Sequence, residues 1–296
     1  MNIIRIYKEK ANKIIMIISL ILVILLPVFI GIGLFYKSSF ILSNNSISDL
    51  IFSTEWKPLS GKFGLFTFII SSLLVTFLAI LISGPICLLT AIYLTQYAKS
   101  RILKFMHPII DILSGIPSVI FGVWGILIIV PFVSDYLAPV FGKDVSGYSI
   151  ISAGIVLAIM IIPFILNILI EIFNTIPEEL TEISLSVGAS KWQTVKFVIV
   201  KKAFSGIISA FGLGISRAFG ETIAVVMVVG CMVKLPESLF DPGYPLPALI
   251  INNYGEMLSI PMYDSALMLA ASVLFIIVII FNIVSRIAIS RSEAII

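Results

Sequence analysis

An all-α, polytopic membrane protein with six transmembrane helices is predicted by three observations. Of the 296 residues, 59% are hydrophobic and only 12% charged, and the mean hydropathy is +1.17, too apolar for a soluble domain of this size. Uncharged blocks of membrane-spanning length recur along the chain. Lys and Arg gather between those blocks, mostly on one side. The net charge of +3 is small and implies no nucleic-acid partner; the partner that composition implies is membrane lipid. Cys87 and Cys231 stand far apart in or near apolar spans, which suggests neither a disulfide framework nor a metal site. The one histidine, His107, sits beside Arg101 and Lys104 at a membrane edge, so metal and proton-relay chemistry have little to work with.

The first span is predicted from Ile14 to Tyr36, uncharged and about 34 Å long at helical rise. Arg5, Lys8, Lys10 and Lys13 precede it, as in a signal peptide. The run is too long for one and lacks an A-x-A cleavage pattern, so an anchor that stays is expected. Lys37 to Lys62 is polar and reads as an external loop with Trp56 and Pro58 at the interface. Residues 1–62 thus form a tail, a span and a loop, residues 63–289 a core of five spans, and residues 290–296 a second tail.

The second span is expected at about Leu65 to Leu89, bent or unwound at Gly84-Pro85. Lys99, Arg101 and Lys104 then mark a cytoplasmic turn. The third span is placed from about Ile109 to Val133, with a polar entry at Asp111, Ser114, Gly115, Pro117 and Ser118. Asp111, near the end of that span, reads as a boundary or packing residue. After a short external loop, Asp135 to Gly147, the fourth span takes Tyr148 to about Ile170.

Within a loop from Glu171 to Lys202, Pro177 to Val200 is the longest charged and polar segment between apolar blocks, and it reads as helix, glycine, helix. Pro177 suits a first helical turn beside Glu178 and Glu179. Gly188 stops that helix. Ser190 and Gln193 make a capping box for the next. Leu180, Ile183, Ser184 and Val187 fall on one face of the first helix, flanked by Glu179 and Glu182. A helix this short and amphipathic is built to dock on something.

The fifth span is predicted from Ala203 to about Val229, followed by an external segment to Asp264 and a sixth span from Ser265 to about Ser285. Thirteen Lys and Arg then lie on one side and five on the other, which puts both termini and the helix–glycine–helix loop in the cytoplasm. In the external segment, Asp241-Pro242-Gly243 breaks the chain and Pro247 to Met257 reads as a helix too short to span. That segment is either an ordered cap on the bundle or a landing site with an outer gate.

Arg217 belongs to neither side. It falls near the middle of the fifth span, where a charge costs at least about 2.5 to 3.5 kcal/mol, so it needs a polar interior. Glu221 lies four residues on, on the same helix face. Gly206, Ala210, Gly214 and Ala218 repeat a small residue every four positions, allowing a close helix contact. Arg217 and Glu221 either line a path for an anion, since guanidinium matches oxyanion geometry, or neutralise each other and pin helices together. The sequence has no G-x-x-x-x-G-K-[ST] run and no Ser/His/Asp or metal constellation, so no catalytic residue is assigned and ATP is not bound by this chain.

The order Glu182, Ile183, Ser184, three residues, Gly188 resembles the E-A-A-x-x-x-G loop of binding-protein-dependent ABC importer permeases. Further on, Val198, Val200 and Lys201 stand where that loop has I-x-L-P. The runs DILSGIPSVIFGVWG from Asp111, ELTEISLSVGASKWQTV from Glu179, SRAFGETIAVVMVVG from Ser216 and SLFDPGYPLPALIINNYGEM from Ser238 are similar to the phosphate-specific permeases, of the PstC type rather than the PstA type. The resemblance implies a type I ABC importer permease fold with a cytoplasmic coupling-helix loop. It implies a coupling site at Glu179, Glu182, Ile183, Ser184, Gly188, Ala189 and Trp192, and a substrate path with Arg217 and Glu221 for inorganic phosphate. The implied partners are a PstA-type second permease, a PstB-type ATPase dimer that uses ATP and Mg, and an extracellular or periplasmic PstS-type phosphate-binding protein. A permease for molybdate or sulfate is the alternative within this class. From another class, an ion-coupled secondary transporter would need repeats and an acid relay; no repeat is evident, and Glu221 is the one acid deep in a span.

Overall fold

The structure is a computed structural model that describes residues 3–255 and 260–293; Met257, the expected end of the short external helix, and the last three residues of the tail lie outside them. Five helices among the described residues are long and apolar enough to cross a membrane: Asn12–Asn44, Phe66–Tyr97, Ser118–Val140, Ile150–Asn174 and Pro261–Ser290. Lys191–Lys202 and Phe204–Gly220 form a bent pair, 66° apart, whose second arm belongs to the remaining apolar block.

Helix α1 (Ile3–Asn44) is longer than expected and runs through Tyr36. Its last turns are polar, yet Ser38, Ser43 and Asn44 return their side chains to carbonyls three or four residues back, which keeps the helix closed. The external loop therefore begins at residue 45. It holds α2 (Ile47–Phe52) and a hairpin of β1 (Trp56–Lys57) and β2 (Lys62–Phe63), paired Trp56 to Phe63. Lys62 donates to Glu55 at 2.6 Å. That hydrogen bond, then the charges of Lys62 and Lys57, hold the Glu55 carboxyl below its usual range, so this small contribution is lost as pH falls through the lowered value.

Helix α3 (Phe66–Ile92) continues through Gly84-Pro85 without unwinding there and ends in a π-helical turn, Tyr93–Tyr97. The third span does not begin at Ile109. Residues 100–114 form a separate amphipathic helix, α4 (Ser100–Ser114), and Gly115 to Pro117 divides it from the crossing. Proline disfavours helical backbone in the residue before it and lacks the N–H to continue the ladder. The crossing itself is assembled from α5 (Ser118–Trp124), α6 (Val130–Phe132) and α7 (Ala138–Val140), with π-helical turns at Gly125–Ile129 and Val133–Leu137.

Helix α8 (Ile150–Asn174) is the centre of the bundle, capped by Ser149 and buried along most of its length. The polar segment follows as α9 (Glu178–Ser186), α10 (Lys191–Thr194), a π-helical turn and α11 (Val200–Lys202). The expected fifth span is broken. It comprises α12 (Phe204–Gly220) and α13 (Ile223–Val229), separated by an extended Glu221 (φ −70°, ψ 133°). Glycine weakens the last turn, and Thr222 donates its hydroxyl to the Gly220 carbonyl, a local bond that competes with the helix. Helix α14 (Leu246–Asn253) lies in the segment before the last crossing, and α15 (Pro261–Glu293) completes the bundle.

Two apolar cores result. The larger surrounds α8, and the smaller gathers Ile41, Phe63, Phe68, Leu246, Tyr263 and Leu267 at the end of the bundle that carries the hairpin. Trp56 joins the second through edge-on contacts with Phe63, Phe68 and Tyr263 at 5.6, 5.2 and 5.8 Å.

Glycine sets how near the helices come to α8. A Cβ on Gly154 would lie 2.8 Å from the Leu78 Cβ of α3, a contact only backbone movement can relieve. Gly154→Val is expected to destabilise the protein by about 1–3 kcal/mol through overpacking, seen as a lower unfolding temperature in detergent. Gly33→Ala, where a Cβ meets nothing within 4 Å, should leave it unchanged or slightly raised.

Candidate functional site

The helix–glycine–helix loop is built largely as its residues dictate. Pro177 serves as the N-cap of α9, one position earlier than expected, and Glu178 and Glu179 occupy the first turn, where negative charge complements the exposed N–H groups. Gly188 adopts φ +86°, and a Cβ there would meet nothing within 4 Å, so only backbone conformation restricts this position. The capping box forms: Ser190 N donates to Gln193 Oε1 at 2.8 Å and Gln193 N to Ser190 Oγ at 3.3 Å.

The apolar face predicted on α9 is split. Leu180 and Ser184 turn inward, and Ser184 Oγ meets Thr194 Oγ1 at 2.9 Å, locking α9 to α10. Ala189 N also donates to the Ser184 carbonyl. Ile183, Val187 and Trp192 point out, 61%, 79% and 57% exposed, with Glu179 and Glu182 exposed beside them. Thr194 gave no sign of its role in the sequence because its partner lies across the loop. Where the loop meets the bundle, a cavity of about 350 Å³ is lined by Thr95, Gln96, Asn174, Glu178, Thr181 and Glu182. A polar pocket below an exposed apolar and acidic surface suits a protein partner.

The second site is the break in the fifth span. Arg217 lies in the last turn of α12, where the unsatisfied carbonyls favour a cation. Its guanidinium carbon sits 4.5 Å from the centroid of the Phe164 ring on α8, a cation–π contact. The expected Arg217–Glu221 pair does not form: Glu221 is past the helix end, and neither residue enters an ion pair among the described residues. The same-face argument fails because the helix stops before Glu221. Both side chains are half-buried. The contact with the Phe164 ring uses no hydrogen-bond acceptor, so it does not occupy the guanidinium donors. Phe164 could not be found by spacing, since it comes from another helix.

The stripe of small residues on α12 packs against α8: a Cβ on Gly206 or Gly214 would lie 2.5 Å from Ile172 or Ile165, and Ala210 and Ala218 are buried. Asp111 joins α4 to α8, accepting from Asn167 Nδ2 at 2.9 Å and lying 3.2 Å from His107 Nδ1. It is the packing residue that its position suggested. The external segment forms an ordered cap: Tyr244 N and Leu246 N donate to Ser71 and Ser72 of α3 at 3.1 and 2.8 Å.

A bundle of membrane-crossing helices with a half-buried charge at a helix break and an exposed amphipathic loop is the architecture of a membrane subunit. The fold agrees: one chain of the methionine ABC transporter MetNI, solved in inward-facing conformations, superposes with a TM-score of 0.55 at 20% identity, over 77% of this chain and 94% of that one. This is the type I ABC importer permease fold. Residues 84–293 match the family described as binding-protein-dependent transport system inner membrane component, and the chain belongs to that family. It is similar to the phosphate transport system permease protein PstC of Xylella fastidiosa strain 9a5c, 35% identical over 82% of this chain and 79% of the relative. The probable ABC transporter permease protein YqgH of Bacillus subtilis is 37% identical over 78% and 73%. The chain is thus the inner-membrane subunit of an ABC importer. Its partners are an ATPase and a substrate-binding protein, and ATP hydrolysis takes place in a separate subunit.

Trp192 is exposed here and contributes little to this chain's own core. Trp192→Ala is expected to leave the unfolding temperature of the isolated subunit unchanged. Because aromatic anchors at interfaces carry about 2 kcal/mol or more, it should weaken retention of the ATPase roughly thirtyfold, read by co-elution on size exclusion.

Proposed function

We propose that the chain forms half of the translocation path of an inorganic phosphate importer, with a PstA-type permease as the other half. A PstB-type ATPase dimer supplies ATP and Mg chemistry, this chain binding neither, and a PstS-type protein delivers phosphate from outside. The observation that carries the reading is Arg217, in contact with the Phe164 ring, without an ion-pair partner among the described residues and set at the end of α12 beside the break. The phosphate-transport names of relatives 31–35% identical over most of the chain support the choice of anion.

In this reading Arg217 offers its N–H donors to the phosphate oxygens and the Phe164 ring holds the guanidinium in place. Glu221, across the break, limits how long the anion stays. Glu179, Glu182, Ile183, Ser184, Gly188, Ala189 and Trp192 form the coupling surface, with Ser184 acting from within by fixing α9 on α10. ATP binding draws the two ATPase subunits together, the docked loops follow, and rigid-body rotation opens the path outward. Both termini and the loop are cytoplasmic by the distribution of Lys and Arg, and the ordered cap is the surface that receives the binding protein.

The deciding assay is ATP-driven, binding-protein-dependent uptake of labelled phosphate by the full complex in proteoliposomes. Arg217→Gln should assemble normally and lower uptake roughly tenfold or more, the scale of a lost charged hydrogen bond; unchanged uptake would make Arg217 structural. Excess sulfate or molybdate should leave uptake intact, and competition by either would move the substrate to a broader oxyanion class.

Gly188→Asp should insert and assemble yet hydrolyse ATP without matching uptake, since a Cβ raises the energy of the left-handed turn that sets α9 against α10 and the carboxylate adds a charge to the docking surface. Normal coupling in that variant would remove the docking loop from the mechanism.

A further inference from the structure

Helix α4 is not needed to cross the membrane. The helix before it (Phe66–Tyr97) and the one after it (Ser118–Val140) each suffice for a crossing, so α4 lies at the face where one ends and the next begins. Its residues divide cleanly by helical angle. Ile102, Leu103, Phe105, Met106, Ile109, Ile110, Ile112 and Leu113 take one half of the circumference, and Ser100, Arg101, Lys104, His107, Asp111 and Ser114 the other. Helix α8 covers only one edge of the apolar half: Ile110 is 2% exposed, whereas Phe105 and Ile112, a heptad apart, are each 70% exposed.

The polar half is cationic. Lys99, Arg101 and Lys104 are exposed and enter no ion pair among the described residues. The one acid, Asp111, is engaged by His107 and Asn167. Tyr93 and Tyr97, at the adjoining end of α3, are exposed at the same level, as aromatic residues are at a membrane interface.

We propose that α4 lies in the inner-leaflet interface of the membrane, with Phe105 and Ile112 among the acyl chains and Lys99, Arg101 and Lys104 on anionic lipid headgroups. The charge on the polar half is complementary to an anionic leaflet, and an uncovered apolar strip beside it is what such a surface takes up. The inference rests on the cytoplasmic placement of this face and is independent of which anion is transported.

The test uses the assembled complex. Native mass spectrometry should find phosphatidylglycerol retained over phosphatidylcholine, and Arg101→Gln with Lys104→Gln should weaken that retention roughly tenfold or more. A spin label at Phe105→Cys, in a chain whose other cysteines are replaced, should be relaxed by oxygen and shielded from a water-soluble nickel complex. Relaxation by nickel would place the strip in water. Shielding from both reagents would place it against a protein subunit. Either result, or phosphatidylglycerol retention unchanged by the double substitution, overturns the proposal, and none of these readouts depends on phosphate uptake.

Discussion

Close approach to α8 is the constraint on which the bundle rests. Without a hydrophobic driving force between helices in lipid, association depends on contact distance, and small residues set that distance. Helix α3 comes in over Gly154, the third span over Gly125 against Val156, and α12 over Gly206 and Gly214. Each contact would force backbone or a β-branched side chain aside if a methyl group were added. Arg217 can rest on Phe164 only because α12 is drawn this near to α8.

The same geometry makes the irregular backbone tolerable, since polar groups freed by a break within a membrane protein must find partners inside it. After α13 the chain turns at Gly230, φ +90°, and Gly243 N returns to the Val229 carbonyl. The carbonyls of Asp241 and Leu239 accept from Ile150 and Ile151, satisfying the first N–H groups of α8. The external segment therefore finishes the central helix as well as covering it, and Ser71 and Ser72 of α3 bind its backbone from the other side. Cap and core are one hydrogen-bonded unit.

Much of this was legible in the sequence, for identifiable reasons. Apolar blocks and the placement of Lys and Arg carry the spans, because hydrocarbon admits little else. Gly188 and the Ser190–Gln193 capping box signal themselves through local chemistry. Boundaries were less readable: nothing in composition separates α4 from the crossing after it, since its apolar half looks like a span until its periodicity is followed through Ser114. The break at Glu221 hides because Gly220 and Thr222 are both common in membrane helices. Phe164 and Thr194 act through partners remote in sequence, and only packing brings those together.

The bend of 66° joins the segment Lys191–Lys202 to α12 with only Ala203 between them. Trp192 stands near one end of this pair and Arg217 near the other. At helical rise the two arms are about 18 and 25 Å long. Ala203, buried at 3% exposure, sits at the corner. The arrangement has the shape of a bell crank, with Trp192 on its shorter arm and Arg217 on its longer one.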